Sequence, residues 1–578
     1  MRRELTQYFS NPHESNGLLL AQAPTGYGKT YETVQAIFQY VQSGGQSQVL
    51  FVTNLLKNLP AEDLRKIYEK NEIGDRFDKE VLVLASTAST VEQAIIHESI
   101  PAEFQTDAYQ ELLSACKNKQ RLEQQSGESS PGLTQWLSEQ IRTKLEPQFR
   151  HALEAHLRKA FPNGPAQRRE AIRSKKKYQW IAKFYPAVFW SDYKILLLSV
   201  KKLMARNVTL VESSFDCLSD RMLKNRIVCI DEFDASRADI LDSLIDQALK
   251  LRADYLQLFL QVYQSITTHQ CSRELEAARI KYEANRTLTW DRLLQQAEKI
   301  YQDGALYYSM KTVDTGANKG RNFLFHDTSY HTVLNDNRTH IRAVCNEGAA
   351  QVQIHFETTE EYNAHKQQPR IVLQTLLRRI HVFLQRFQRY VYGWASCNAK
   401  AINTCLPQTN DLYTTAAAID TIFHDYSLAA YQPALMTGYL AKSEKQHGKQ
   451  ELLAPNLSFY ETGFRLFEFI DDDHHRAKTY LQYLQMKNTP ERILLYLCRL
   501  AKVVGLSATA ALPTVLGNYD LRYIKGSWEI AIMSFPQKHR RRFGLSCKNF
   551  GHPIETAASN SIWTWWIEAT CICRFWIA

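Results

Sequence analysis

Three short stretches of this chain hold residue types that could do phosphate chemistry together. The first is Ala23-Pro24-Thr25-Gly26-Tyr27-Gly28-Lys29-Thr30. Gly26 and Gly28 let backbone N–H groups turn toward phosphate oxygens with no Cβ in the way. Lys29 would reach the β and γ phosphates of a nucleotide, and the Thr30 hydroxyl would ligate Mg²⁺. The second stretch is Asp231-Glu232-Phe233-Asp234. Asp231 would hold the same Mg²⁺ through water, and Glu232 would orient and polarise an attacking water. The third, Ser507-Ala508-Thr509, is a weak signal alone and gains meaning only beside the other two. Together they imply ATP and Mg²⁺ as ligands, with residues 23–30 as the cradle and Lys29, Asp231 and Glu232 as the catalytic set.

Each stretch follows a run that reads as a buried strand. Gly17–Ala21 enters the glycine loop, Arg226–Ile230 enters the carboxylates, and Lys502–Ser507 leads into Ala508 and Thr509. After the loop, Val34, Ile37, Phe38 and Val41 recur at helical spacing, so the loop lies between a strand and a helix. Further strand signals stand at Val49–Thr53, Val81–Ala85, Lys194–Leu198 and Val208–Val211. Strands alternating with helices predict an α/β fold with a parallel, doubly wound sheet, and acids at its C-terminal edge would lie beside a bound nucleotide. Residues 91–190 and 240–500 read as long, mainly helical insertions, with a small β element near Phe323–Phe325 and Gln351–Phe356. The sheet domain would then comprise residues 1–90, 191–239 and 501–525, the last holding its final strand.

Composition sets looser bounds. The 578 residues are 44% hydrophobic and 22% charged, the balance of a globular chain with room for several domains. No apolar run is long enough for a membrane span, and the polar MRRELTQYF start does not resemble a secretory signal, so a cytoplasmic setting is expected. Eleven cysteines without regular spacing read as reduced thiols. The net charge of +10 suits a polyanion partner but equally suits simple solubility. Residues 526–578 differ from the rest: Trp528, Trp563, Trp565, Trp566 and Trp576 crowd there, and the texture suggests a truncated or frame-shifted end.

The order of the three motifs, APTGYGKT, DEFD and SAT, resembles the first RecA-like domain of superfamily 2 helicases, ATP-driven nucleic-acid motors of the DEAD/DEAH type. That resemblance implies a RecA-like P-loop NTPase sheet. It also implies that Ser507 and Thr509 couple ATP state to nucleic-acid grip, that Gln7 reads adenine, and that Thr53 meets a nucleic-acid backbone. The sequence departs from the common pattern at Phe233, where alanine is usual, and at Asp234, where histidine is commoner. Long gaps between motifs resemble the XPD and DinG branch or the CRISPR-associated helicases. However, only Cys116 and Cys217 lie between the glycine loop and the strand that leads into the acidic motif, too few for that branch's four-cysteine iron–sulfur cluster. The second RecA-like domain, which would supply arginine fingers, is expected to be truncated.

Lys175-Lys176-Lys177, with Arg168, Arg169 and Arg173 before it and Tyr178, Trp180 and Tyr185 around it, is a candidate single-strand surface of phosphate contacts and stacking rings. A solvated helix face would look the same. Arg378, Arg379, Arg386 and Arg389 form a second basic face, with Phe383 and Phe387 expected in a core. Three functions follow: a helicase-like ATPase on DNA or RNA, an ATP-gated nucleic-acid-binding module with little turnover, or an ATPase scaffold whose helical insertions recruit a protein partner.

Overall fold

The computed structural model describes residues 1–11, 16–24, 26–124, 131–212, 214–250, 252–313, 322–326, 330–333, 340–405, 413–437, 460, 464–471, 478–486, 488–509, 518–527 and 530–534. The chain divides into two compact units, Met1–Ser243 with Pro490–Ala578, and Leu244–Thr489.

The first unit is α/β, built on a parallel sheet. Its strands are β1 (Gly17–Gln22), β2 (Val49–Thr53), β3 (Val81–Leu84), β4 (Ile195–Ser199), β5 (Arg226–Asp231), β6 (Ala501–Ser507) and β7 (Ile530–Ser534). They lie in the order β7-β1-β6-β5-β2-β4-β3, every neighbouring pair parallel. The physical cause is visible in the sequence. β2 reads VLFVT and β4 reads ILLLS, apolar on both faces and buried throughout, as a sheet covered on both sides requires. Helix α1 (Arg2–Ser10) and helix α2 (Lys29–Gln42) put Leu5, Phe9, Val34, Ile37 and Phe38 into one core with Phe51 and Leu197.

The connection from β1 through α2 to β2 runs one way across the sheet, and β5 to β6 to β7 runs the other. This brings the C-terminal ends of β1, β6 and β5 side by side. Register makes it specific: Ala21 is level with Leu506 and Gln22 with Ser507, while Leu506 is level with Asp231.

Residues between β3 and β4 form helices that pack within this unit around Phe104, Tyr109, Phe149, Phe161, Trp180 and Tyr185. The second unit departs from the chain between β5 and β6. It has a 33-residue helix, Leu373–Cys405, whose Phe383, Phe387, Tyr390 and Trp394 are buried, as expected for the two phenylalanines. Among the described residues it also has two sheets. One is five-stranded, with Phe464–Asp471 paired antiparallel to Thr479–Met486 at its heart, and the other is three-stranded.

Three expectations need correction. The mainly helical reading of 240–500 places its β element near Phe323–Phe325 and Gln351–Phe356 alone, but Phe464–Asp471 and Thr479–Met486 also form a β-ladder. In TYLQYLQM the apolar residues fall at spacings that suit a helix as well as a strand, and pairing decided between them. Val208–Val211 does not form a strand: Leu210 adopts φ +60° and Val211 N–H donates to the Thr209 carbonyl at 2.6 Å, a tight turn buried by its apolar side chains. Finally, β6 is not the last strand. β7, inside the segment read as an atypical tail, pairs along β1 on the side away from β6. Trp528, Trp563, Trp565, Trp566 and Trp576 lie outside the described residues.

Candidate functional site

The glycine loop leaves β1 at the level of Ser507 and turns into α2. Gly26 and Gly28 have φ of +82° and +77°, in the left-handed region that a side chain disfavours. A Cβ at either would meet no atom within 4 Å, so backbone conformation, not crowding, requires glycine there. The loop closes on itself. Tyr27 N–H donates to the Pro24 carbonyl at 3.2 Å, and Lys29 Nζ donates to the carbonyls of Ala23 at 2.9 Å and Pro24 at 3.2 Å. Thr25 lies outside the described residues. Gly28 caps α2, so the helix's uncompensated N–H groups and dipole face the loop.

Across the sheet edge, Thr30 Oγ1 donates to Asp231 Oδ2 at 2.7 Å, joining residues 201 positions apart. The other Asp231 oxygen accepts the Glu232 N–H at 3.0 Å. Glu232 itself has φ +50°, a left-handed residue forced between the end of β5 and the start of helix α3 (Phe233–Lys250). That turn stands its carboxylate out of the sheet edge, where Asn54 Nδ2 lies 3.5 Å from Oε2. Asn54 was not singled out in the sequence; its position directly after strand β2 was the available signal.

The third stretch joins through α3. Thr509 Oγ1 donates to Asp234 Oδ2, and Thr509 N–H donates to Ser507 Oγ at 3.0 Å. Phe233 explains the unusual second motif. Its ring is buried against Gly505, where a Cβ would lie 2.6 Å from Phe233 Cδ2, and 4.7 Å centroid to centroid from Tyr519. The hydroxyl of Ser236 binds the Phe233 carbonyl at 2.6 Å and the Tyr519 hydroxyl at 3.0 Å. Below them Arg237 Nε donates to Glu491 Oε1 at 2.9 Å in a buried pair, tying α3 to helix α4 (Pro490–Leu500).

A Thr hydroxyl beside an Asp carboxylate is an all-oxygen donor set, the chemistry that suits Mg²⁺, and the cradle above it is of bare backbone. The residues therefore fit a magnesium nucleotide. Among the described residues no group of three or more His, Cys, Asp and Glu could hold a metal by itself, and seven cysteines are unpaired.

Other candidates stand elsewhere. Thr53 is 2% exposed and donates its hydroxyl to the Leu55 carbonyl at 2.8 Å, so it does not face a nucleic-acid backbone; β2 needs it inside. Gln7 is exposed on α1 but far from the loop. Arg2 pairs with Glu32 at the start of α2 and Thr6 bonds Gln39 near its end, so the two helices run side by side in the same direction. Gln39 is nine residues beyond Thr30, about 13 Å along a helix, and Gln7 shares that distant level.

Most of the basic cluster is engaged by its own surroundings. Lys177 pairs with Glu103 at 2.7 Å, which holds its ammonium pKa above the ordinary value, and Lys175 lies 4.6 Å from the centre of the Phe161 ring. Arg168 donates to the carbonyls of Phe161 and Val211, and Arg173 pairs with Asp192. Lys176 is exposed. The stacking rings expected around these cations are core: Tyr178, Trp180 and Tyr185 are buried together.

No protein-family model matches this sequence, and no curated protein is significantly similar to it. Among the described residues no helix is long and apolar enough to cross a membrane.

Proposed function

We propose that this chain binds ATP with Mg²⁺ and hydrolyses it to act on DNA or RNA, as a helicase-like motor of the superfamily 2 type. The observation that carries the nucleotide part of the reading is the 2.7 Å bond from Thr30 to Asp231 at the shared edge of three adjacent parallel strands; the nucleic-acid part rests on the motif order APTGYGKT, DEFD and SAT. A chance glycine turn has no reason to end against the carboxylate of a strand two places away.

In this reading Lys29 leaves its loop carbonyls for the β and γ phosphates, and backbone N–H groups of residues 26–30 hold the remaining oxygens. Thr30 and Asp231 hold the metal, which supplies positive charge against the phosphates when bound. Glu232, standing out from its left-handed turn beside Asn54, aligns a water for attack. The bond from Thr509 to Asp234 gives the third motif a direct hold on the helix that begins at the acidic motif. A change at Asp231 and Glu232 would reach Ser507 and Thr509 through that bond.

Steady-state ATP hydrolysis, with and without single-stranded DNA or RNA, tests the proposal. Lys29→Ala should abolish ATP binding, and Glu232→Gln should keep binding while losing turnover. ATP affinity indifferent to Lys29→Ala would sink it. Binding of ATP and single strands without turnover would favour a nucleotide-gated module, and a partner retained after nuclease treatment would favour a scaffold.

A further inference from the structure

The phosphate end of the proposed nucleotide site is built, but Gln7, the residue expected to read the base, lies at the far end of α2. The near end of α1 presents a different pair. Arg2 donates from Nε and Nη2 to the two carboxylate oxygens of Glu32, at 3.0 and 2.8 Å, which fixes the plane of its guanidinium. That guanidinium stands 6.0 Å from the centre of the Tyr31 ring. Tyr31 follows Thr30 directly and is half exposed, and its hydroxyl accepts a bond from Gln35 Nε2 at 3.2 Å. One wall is thus fixed by a bidentate ion pair, and the other is tethered by a single bond along the helix.

We infer that the nucleotide's base is held between the Arg2 guanidinium and the Tyr31 ring. A flat base needs a van der Waals gap of about 3.5 Å on each side, about 7 Å in all. The 6.0 Å from the guanidinium carbon to the ring centre falls about 1 Å short of that, so the Tyr31 ring, tethered by its hydroxyl bond to Gln35, swings outward by about that much to admit the base while Arg2 stays fixed. The proposal rests on the nucleotide reading of residues 23–30. It goes beyond it in assigning the base subsite to α1 and the first turn of α2 and in setting its selectivity. Stacking and cation–π attraction act on the π-face that every base has, so the slot favours the larger purines and separates ATP from GTP only slightly.

The test is calorimetric titration of the full chain with the magnesium complexes of ATP, GTP and UTP, and with magnesium tripolyphosphate, which has no base. Wild type should bind ATP and GTP within about threefold and UTP more weakly. Tyr31→Ala should weaken ATP and GTP about tenfold, the usual scale for one base stack, and leave tripolyphosphate unchanged. Tyr31→Phe should restore most of that loss. Equal loss of tripolyphosphate and ATP in Tyr31→Ala, or unchanged ATP affinity, overturns the slot. Lys29→Ala separates the two readings: it should lose tripolyphosphate and ATP alike. Tripolyphosphate binding that survives Lys29→Ala, or a wild type that binds neither ligand, overturns the nucleotide reading and the slot with it.

Discussion

Gly505 and Phe233 offer a sharp test of how the acidic motif is seated. A Cβ placed on Gly505 would lie 2.6 and 2.8 Å from Cδ2 and Cγ of the Phe233 ring, and 2.9 Å from Leu20 Cδ2. Real Cβ contacts are longer, so Gly505→Ala must push the ring or the strand, an overpacking cost of about 1–3 kcal/mol. Phe233 is 1% exposed, so Phe233→Ala alone should cost about 3–5 kcal/mol through lost burial and the cavity it leaves. In the double variant the new methyl enters the space the ring vacates. Only the Leu20 methyl remains close, and a terminal methyl can rotate away. The pair should therefore cost no more than Phe233→Ala by itself, giving a coupling of about −1 to −3 kcal/mol in a double-mutant cycle. Urea unfolding of the four proteins, followed by a probe within the parallel-sheet unit, measures it. Additivity within about 0.5 kcal/mol would refute the idea that bare backbone at 505 makes room for phenylalanine at 233.

Other outcomes follow from the same geometry. Glu232→Gly should abolish ATP turnover while raising stability by up to about 1 kcal/mol, because a non-glycine residue at φ +50° stores strain; hydrolysis and unfolding measured side by side check both signs. Arg237→Ala strands the fully buried Glu491 carboxylate and should cost about 3–5 kcal/mol, whereas Arg237→Met with Glu491→Leu should cost far less; chemical denaturation distinguishes them. Lys202 is buried, and desolvation lowers its pKa below the ordinary 10.5. The unfolded chain then binds that proton more tightly, so the lysine's contribution to stability rises with pH up to about 10.5. Lys202→Met should be more stable than wild type at pH 7, by a margin that shrinks toward pH 10; an unchanged margin would count against the charge as its cause.

Most of the parallel sheet was legible because its strands are buried on both faces. VLFVT, ILLLS and RIVCID are continuous apolar runs that admit few other readings, and the glycine loop sits between a strand and an amphipathic helix. The second unit was less legible. Its strand Thr479–Met486 has an apolar spacing that a helix would share, and β7 pairs with a strand more than 500 residues earlier, which no local window can sense. Lys175, Lys176 and Lys177 with the rings near them looked like one surface in sequence. Folding separated them, because aromatic side chains gain most by burial while the lysines bend over the rings from outside.

The sequence by itself determined the residue types that can do chemistry and the strand end to which each belongs. Backbone at Gly26 and Gly28, acids after an apolar run and a hydroxyl after the lysine are local facts, set by steric freedom and by hydropathy. Only the tertiary structure decided which of them meet. Sheet order put Asp231 against Thr30, α3 put Asp234 against Thr509, and parallel packing of α1 on α2 carried Gln7 away from the loop while bringing Arg2 to Tyr31. Those pairings span up to 275 residues and depend on crossover direction and helix register, which no local stretch of sequence contains.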